Sequence, residues 1–333
     1  LQSTIGSSRA GSINTMQNRL GWLTEGGQKF RQSLSALQRV MKSAILAPLR
    51  RVWSKTLYEK VTAYHRIRVE ETRERRCLYF DGTLQSSMDL QDPDALELSY
   101  SRFSSLGLAL KPDAAKALII GLGGGSMAKK YHKEFPELEI VSIEIDPDVV
   151  EVAREFFHFQ EDPHQRVHNG DGREFLARTE DRFDLILLDA YYADNMPFHL
   201  ITSEFFNTAW HKMTPEGVMV LNLIGALRGP ESKFIRATVK TLANVFAQIY
   251  TFPTFGNHTH VLGEIQNIVV LASKARHRMS IKEMEQRAAS LGRGLFPEPA
   301  SKILSSYYTG PLNQDDVEVL TDDDTPADDL VRL

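Results

Sequence analysis

Cysteine is almost missing from this chain: its 333 residues contain one, Cys77. No intrachain disulfide and no cysteine-based zinc site can form, and a reducing, intracellular compartment is expected. Long apolar runs are missing too. Nothing approaches the roughly 20 consecutive apolar residues that cross a bilayer, and no charged-then-apolar leader with a cleavage site is read, so a soluble, cytoplasmic protein is expected. A strong charge imbalance is also lacking. The formal net charge of -4 gives no global reason to expect a nucleic acid partner and points to a small-molecule or modest protein surface as the target.

Acidic residues are scarce in one segment only. From Leu1 to Tyr58 the sole carboxylate is Glu25, against Arg9, Arg19, Lys29, Arg31, Arg39, Lys42, Arg50, Arg51 and Lys55. The first part is rich in Ser, Gly and Asn and reads as disordered. From about Gln28, Phe30, Leu34, Leu37, Met41, Ile45, Leu49 and Val52 recur at helical spacing, which predicts a basic amphipathic helix. Such a helix suits a membrane-surface contact, a targeting segment or docking on the body of the protein.

The pattern then changes to short runs of period two. Val61 to Val69 alternates, and Arg76 to Phe80 leads to Asp81-Gly82 and Thr83-Leu84-Gln85, a hairpin signal in a small antiparallel β-unit. Ala95 to Leu110 reads as a helix ending at Lys111-Pro112. Beyond that break strands and helices alternate. Strands are predicted at Ala117–Gly121, Glu139–Glu144, Phe183–Asp189, Gly217–Asn222, Gln248–Phe252 and Asn267–Ala272, with helices at Ser126–Phe135, Asp148–Phe157, Ser203–Met213 and Glu231–Phe246. Continuous apolar strands between helices imply a mostly parallel sheet covered on both faces. The last two strands have no helix between them, so the final one is expected to be antiparallel, as in a Rossmann-like class I methyltransferase sheet. A further helix is expected at Ile281–Leu291. The predicted divisions are 1–57, a basic extension; 58–110, the β-unit and helix; 111–275, the nucleoside-cofactor domain; and 276–333, a helix and acidic tail.

The chemistry concentrates at strand ends. Gly121-Leu122-Gly123-Gly124-Gly125-Ser126 sits where the first strand of the alternating region turns into a helix, and glycine there lets backbone approach a ligand closely. No Gly-Lys-Ser/Thr follows, which excludes a P-loop. Glu144 falls about twenty residues beyond, where a carboxylate can accept from both ribose hydroxyls. Asp171, in Asn169-Gly170-Asp171-Gly172, can take the exocyclic amine of adenine, cap the next helix, or do both. Asp189 ends a central strand and faces the crevice where ligands bind in open α/β sheets, which makes it the leading catalytic candidate. Tyr250, Phe252, Phe255, His258 and His260 either line an acceptor side or pack around the last hairpin.

Taken together, Leu78-Tyr79-Phe80-Asp81-Gly82-Thr83-Leu84-Gln85-Ser86-Ser87, the triple glycine, Glu144-Ile145-Asp146-Pro147, Gly170-Asp171-Gly172 and Asp189 resemble the spermidine synthase family over roughly Tyr58 to Ser273. The resemblance implies that Gln85 and Glu144 hold the methylthioadenosine part of the cofactor, that Asp171 reads adenine, that Tyr100 matches a tyrosine of the family's substrate site, and that the chain forms a homodimer. Two departures bear on the reaction. Family aminopropyltransferases carry an acidic residue after the glycines, where this chain has Ser126. They use Asp-x-x-Asp after the fourth strand, where the second position here is Tyr192 and Asp194 lies two residues further on. Losing an anion beside the cofactor tail removes a penalty against the carboxylate of intact S-adenosylmethionine. The leading expectation is therefore a metal-independent methyltransferase acting on an amine or peptide, with Asp189 and either Tyr192 or His199 positioning the acceptor. The alternatives are aminopropyl transfer from decarboxylated S-adenosylmethionine, with Asp189 and Asp194 handling the amine, and a non-catalytic scaffold.

Overall fold

Asp81 and Gly82 both adopt positive φ, 49° and 93°, which matches the right-handed twist of a tight hairpin. They join β3 (Arg75–Phe80) to β4 (Thr83–Asp89) in a four-stranded antiparallel sheet that begins with β1 (Lys55–Val61) and β2 (Arg66–Glu71). The computed structural model describes residues 54–192, 195–292 and 294–323. The amphipathic helix expected between Gln28 and Val52 lies outside them. The first strand starts at Lys55, inside the stretch assigned to the basic extension.

The period-two run from Val61 to Val69 is not one strand. Thr62 folds it back: its Oγ1 accepts from the backbone N–H of Tyr64 at 3.1 Å and of His65 at 3.3 Å, a side-chain turn that competes with the strand ladder. The turn reverses the chain between β1 and β2. The same hydroxyl donates to Asp146 Oδ2 at 2.6 Å, tying the hairpin sheet to the larger one.

The second sheet has seven strands in the order β10-β11-β9-β8-β5-β6-β7. They are β5 (Lys116–Ile120), β6 (Glu139–Glu144), β7 (Gln165–Asn169), β8 (Phe183–Leu188), β9 (Met213–Gly225), β10 (Gln248–Pro253) and β11 (Gln266–Ser273). β11 pairs antiparallel with both β9 and β10, and the pairings among β5 to β9 are parallel, as expected. β9 runs well beyond the predicted Gly217–Asn222, because β11 continues the ladder to Gly225 and β8 pairs with it as early as Met213.

Alternation of side chains fills both faces. Ala117, Ile119, Leu185, Leu187, Val218 and Val220 belong to one core, Leu118, Ile120, Ile186, Leu188, Met219 and Leu221 to the other. The first face is covered by α1 (Ser99–Ser104), α2 (Leu106–Leu110), α3 (Ser126–Glu134) and α8 (Ile281–Ser290). The second is covered by α6 (Ser203–Lys212) and α7 (Lys233–Ala243). The helices α4 (Pro147–Phe156), α5 (Gly172–Arg178) and α9 (Ala300–Leu304) complete the set; α9 was not anticipated. The hairpin sheet has its own core, Ile67, Val69, Leu78, Phe80 and Met88, closed by Val149 and Val152 of α4.

The single helix expected over Ala95 to Leu110 is two short ones. Residues 95–98 precede the first, and the break comes at Ser105, whose hydroxyl donates back to the Ser101 carbonyl at 3.1 Å, a bond that bends helices. The break seats Gly107 against the sheet, where a Cβ would lie 2.6 Å from Val220.

Candidate active site

The chain leaves β5 toward β6 and β7, then returns to β8 on the other side of β5. Gly121 and Asp189 therefore stand side by side at the carboxyl ends of adjacent strands, where ligands bind in open α/β sheets. Asp189 donates its backbone N–H to Ile120 O at 2.9 Å, and Gly121 donates to Ile143 O at 2.8 Å. A Cβ on Gly121, whose φ is 96°, would lie 2.1 Å from the Asp189 carbonyl. Glycine is demanded here by the approach of two strand ends.

A cavity of ≈ 650 Å³, counting its open mouth, lies over this junction. Gln85, Gly121, Gly123, Glu144, Asp171, Gly172, Asp189, Tyr192 and His199, each singled out in the sequence, line it together. Gly124 and Gly125 do not. Gly124 is pressed between Ser86 and Phe157 and donates its N–H to Ser86 Oγ at 2.9 Å, and Gly125, at φ 71°, packs on Phe159. Asp194 lies outside the described residues.

Glu144 is buried, and both its oxygens accept backbone N–H groups, Leu122 at 3.0 Å and Asp146 at 3.1 Å. Burial pushes its carboxyl up from the ordinary value while these donors pull it back. Asp171 caps α5 through the Glu174 N–H at 2.9 Å, and its other oxygen meets His199 Nε2 at 2.8 Å. That contact is the largest of the effects holding the Asp171 carboxyl below its ordinary range. Ile120, Ile143, Ile145 and Leu200 supply apolar wall. Two carboxylates, Glu144 and Asp171, thus share one cavity with an apolar wall.

Asp189 is oriented by a chain of amides and a phenol. Asn222 Nδ2 donates to Asp189 Oδ1 at 2.8 Å, Asn267 Nδ2 donates to Asn222 Oδ1 at 3.0 Å, and the Tyr100 hydroxyl stands beside the Asp189 carboxylate and lowers its pKa. Burial raises the Asp189 carboxyl, and the Asn222 and Tyr100 bonds oppose the rise. The Tyr191 hydroxyl donates to Asn222 O at 2.7 Å, fixing the start of the loop. Tyr192 lies parallel to Tyr64 of the β1–β2 turn, ring centroids 6.4 Å apart.

Ser126 and Tyr100 border a second, smaller cavity of ≈ 330 Å³ beside the first, with Ser86, Ser87, Glu97 and Leu122. Glu97 is the one carboxylate in its wall, and among the described residues no cationic side chain lines it. Glu97 is 19% exposed and pairs with Arg75 at 3.0 Å.

Several of these residues were not foreseen. His65 lines the main cavity, buried, stacked on Phe80 with centroids 3.8 Å apart and with Nε2 3.3 Å from Asp146 Oδ2. Desolvation lowers its pKa, against the pull of Asp146. Asn222 carried a signal, a polar residue inside the apolar run from Val218 to Ile224. Glu97 lies three residues before Tyr100 and could have been read with it. Of the aromatic group left open, Tyr250 and Phe252 are core residues, while Phe255 is exposed and His258 stacks on His260.

The fold is the Rossmann-like α/β fold of class I transferases. The model of the spermine/spermidine synthase domain matches residues 99–268. A polyamine aminopropyltransferase of Vibrio vulnificus is 31% identical over 261 residues, 76% of this chain and 83% of that protein. The crystal structure of spermidine synthase from Thermotoga maritima superposes with a TM-score of 0.61 at 19% identity, over 77% of this chain and 85% of that one. Human methyltransferase-like protein 13, solved in complex with SAH, gives a TM-score of 0.51 at 25% identity, over 61% of this chain and 94% of that one. This chain belongs to the spermine/spermidine synthase family.

Proposed function

We propose that this protein transfers an aminopropyl group from decarboxylated S-adenosylmethionine to an amine. The observation that carries this reading is the small cavity beside Ser126, whose wall holds the carboxylate of Glu97, paired with Arg75 outside that wall at 3.0 Å, and no cationic side chain among the described residues. The anion missing after the glycines is replaced from a different part of the chain. A propylammonium tail is attracted there, whereas the carboxylate of intact S-adenosylmethionine meets a like charge. The Vibrio relative is named for this reaction, and the resemblance noted in the sequence includes it.

The sulfonium of the bound donor makes its neighbouring carbon electrophilic. The chain's own task is to align an amine and take its proton. Glu144 and Gln85 hold the ribose side, and Asp171 the base. Asp189, aimed by Asn222 and Tyr100, accepts the proton as the new C–N bond forms and the C–S bond breaks with its electron pair going to sulfur. Tyr192 and Tyr64 stand at the loop and turn that flank this route.

Methyl transfer from intact S-adenosylmethionine is the second reading, favoured by Ser126 itself and by the likeness to the human methyltransferase-like protein. Calorimetric titration with both donors separates the two. Aminopropyl transfer predicts tighter binding of the decarboxylated donor, with Glu97→Gln narrowing the preference by about tenfold. Equal or tighter binding of the intact donor, unchanged in Glu97→Gln, would transfer the assignment to methyl transfer.

A further inference from the structure

Lys129 lies on α3 three residues beyond Ser126, so the helix face that carries Ser126 to the small cavity also carries Lys129. It is 7% exposed. Its amine donates to Pro93 O at 2.9 Å and to Phe157 O at 2.7 Å, with Met88 Sδ at 3.8 Å. Three segments thus converge on one ammonium: the end of β4, the end of α4 and the stretch that leads into α1. None of these partners is charged. The carboxylate next to Pro93, that of Asp94, is paired with Lys133 at 2.8 Å. Burial pushes the Lys129 amine down to about 8, against the pull of Asp94. A lysine buried among neutral acceptors costs stability that an apolar side chain of similar length would not.

What the lysine holds lies four residues further along the chain from Pro93. Pro93 sits inside a turn closed by the Ala95 N–H donating to Asp92 O at 2.9 Å; Leu96 is then buried in the core of the large sheet, and Glu97 follows in the wall of the cavity that Ser126 borders. Holding Pro93 therefore holds Glu97 in register with Ser126, from the same helix. Arg75 pairs with the Glu97 side chain from the hairpin sheet, whereas Lys129 fixes the backbone that delivers it. Lys129 itself lines neither cavity.

We propose that Lys129 is a positioning residue that sets the Glu97 carboxylate in the cavity beside Ser126 and, through it, the preference between decarboxylated and intact S-adenosylmethionine. The proposal rests on the reading of Glu97 above, but it concerns a residue outside both cavities.

The test is a double-mutant cycle on the full chain. Both donors, and 5′-methylthioadenosine as a ligand without a charged tail, are titrated calorimetrically into the unaltered protein, Lys129→Met, Glu97→Gln and the two combined, with melting curves to verify folding. Lys129→Met should narrow the donor preference about fivefold, leave the affinity for 5′-methylthioadenosine within about twofold, and add nothing to Glu97→Gln, because it acts only through that carboxylate. Lys129→Gln, whose amide can still donate to one carbonyl, takes its place in the cycle if Lys129→Met does not fold. If the preference is unmoved by the Lys129 variant while Glu97→Gln narrows it, if the two substitutions act independently, or if 5′-methylthioadenosine weakens in parallel with the donors, the proposal fails while the aminopropyl reading stands. If Glu97→Gln itself leaves the preference unchanged, both fail.

Discussion

The part of the site at the strand ends and the part beside Ser126 are built by different rules. In the first, Gly121, Glu144 and Asp171 sit at or just beyond the ends of β5, β6 and β7, so the parallel sheet brings them together as soon as it forms. In the second, Ser126 from α3, Glu97 and Tyr100 from the segment entering α1, and Ser86 from the hairpin sheet meet only after two sheets have packed. The comparison teaches that the sheet alone places the strand-end residues, whereas the charge beside Ser126 depends on side chains from distant segments. One substitution at the expected position, Ser126, is therefore weak guidance to the charge of the cavity it borders.

Asp189, where the two halves meet, offers the sharpest break between them. Asp189→Asn should lower the turnover rate by about 10²- to 10⁴-fold while 5′-methylthioadenosine binds almost as before; a comparable loss of affinity would mean that Asp189 holds the nucleoside. Because folding raises this carboxyl's pKa, its ionised form costs stability as the pH climbs from the ordinary carboxylate range through the raised value. The melting temperature of the variant at neutral pH should accordingly be unchanged or higher.

Glu144→Gln addresses the adenosine half alone. An amide N–H replaces one acceptor facing the Leu122 and Asp146 donors, and nucleoside affinity should fall by roughly 10- to 100-fold. The ratio between intact and decarboxylated donors should not move, since Glu144 does not line the cavity beside Ser126. Parallel changes in affinity and ratio would erase the distinction drawn above.

The smallest effect is expected at Tyr100. Asp189 must be ionised to accept a proton, so the rate rises with pH through its pKa. Tyr100→Phe removes a donor that lowers this pKa, and the acid limb of the pH–rate profile should move to higher pH. At a fixed pH on that limb the rate falls several-fold, with the plateau much less affected. An unshifted limb would show that the bond to Tyr100 does not tune Asp189.

Much of the architecture was legible because its signals are local. The Asp81-Gly82 turn, the apolar run of β8 and the cap at Asp171 each arise from backbone preferences or periodicity within a few residues. Where a local signal competed with another, the reading slipped. Thr62 turned a strand pattern into a hairpin, and Ser105 split a helix, because a hydroxyl bonding to nearby backbone leaves the apolar pattern unchanged. Gly124 and Gly125 belong to the glycine run but serve packing on Ser86, Phe157 and Phe159, a demand set by neighbours remote in the chain.

By itself the sequence determined the alternating α/β order, the antiparallel last strand, the glycine turn and the three carboxylates Glu144, Asp171 and Asp189. Strand ends of a parallel sheet converge whatever the details of packing, so position along the chain is enough to place them. Only the tertiary structure decided that Asn222 orients Asp189 with Tyr100 beside it, that His65 lines the cavity from the hairpin sheet, that His199 faces Asp171, and that Glu97 shares a cavity with Ser126. Those pairings join segments far apart in the chain. Hydrogen bonds and charge act through space, over distances that no periodicity records.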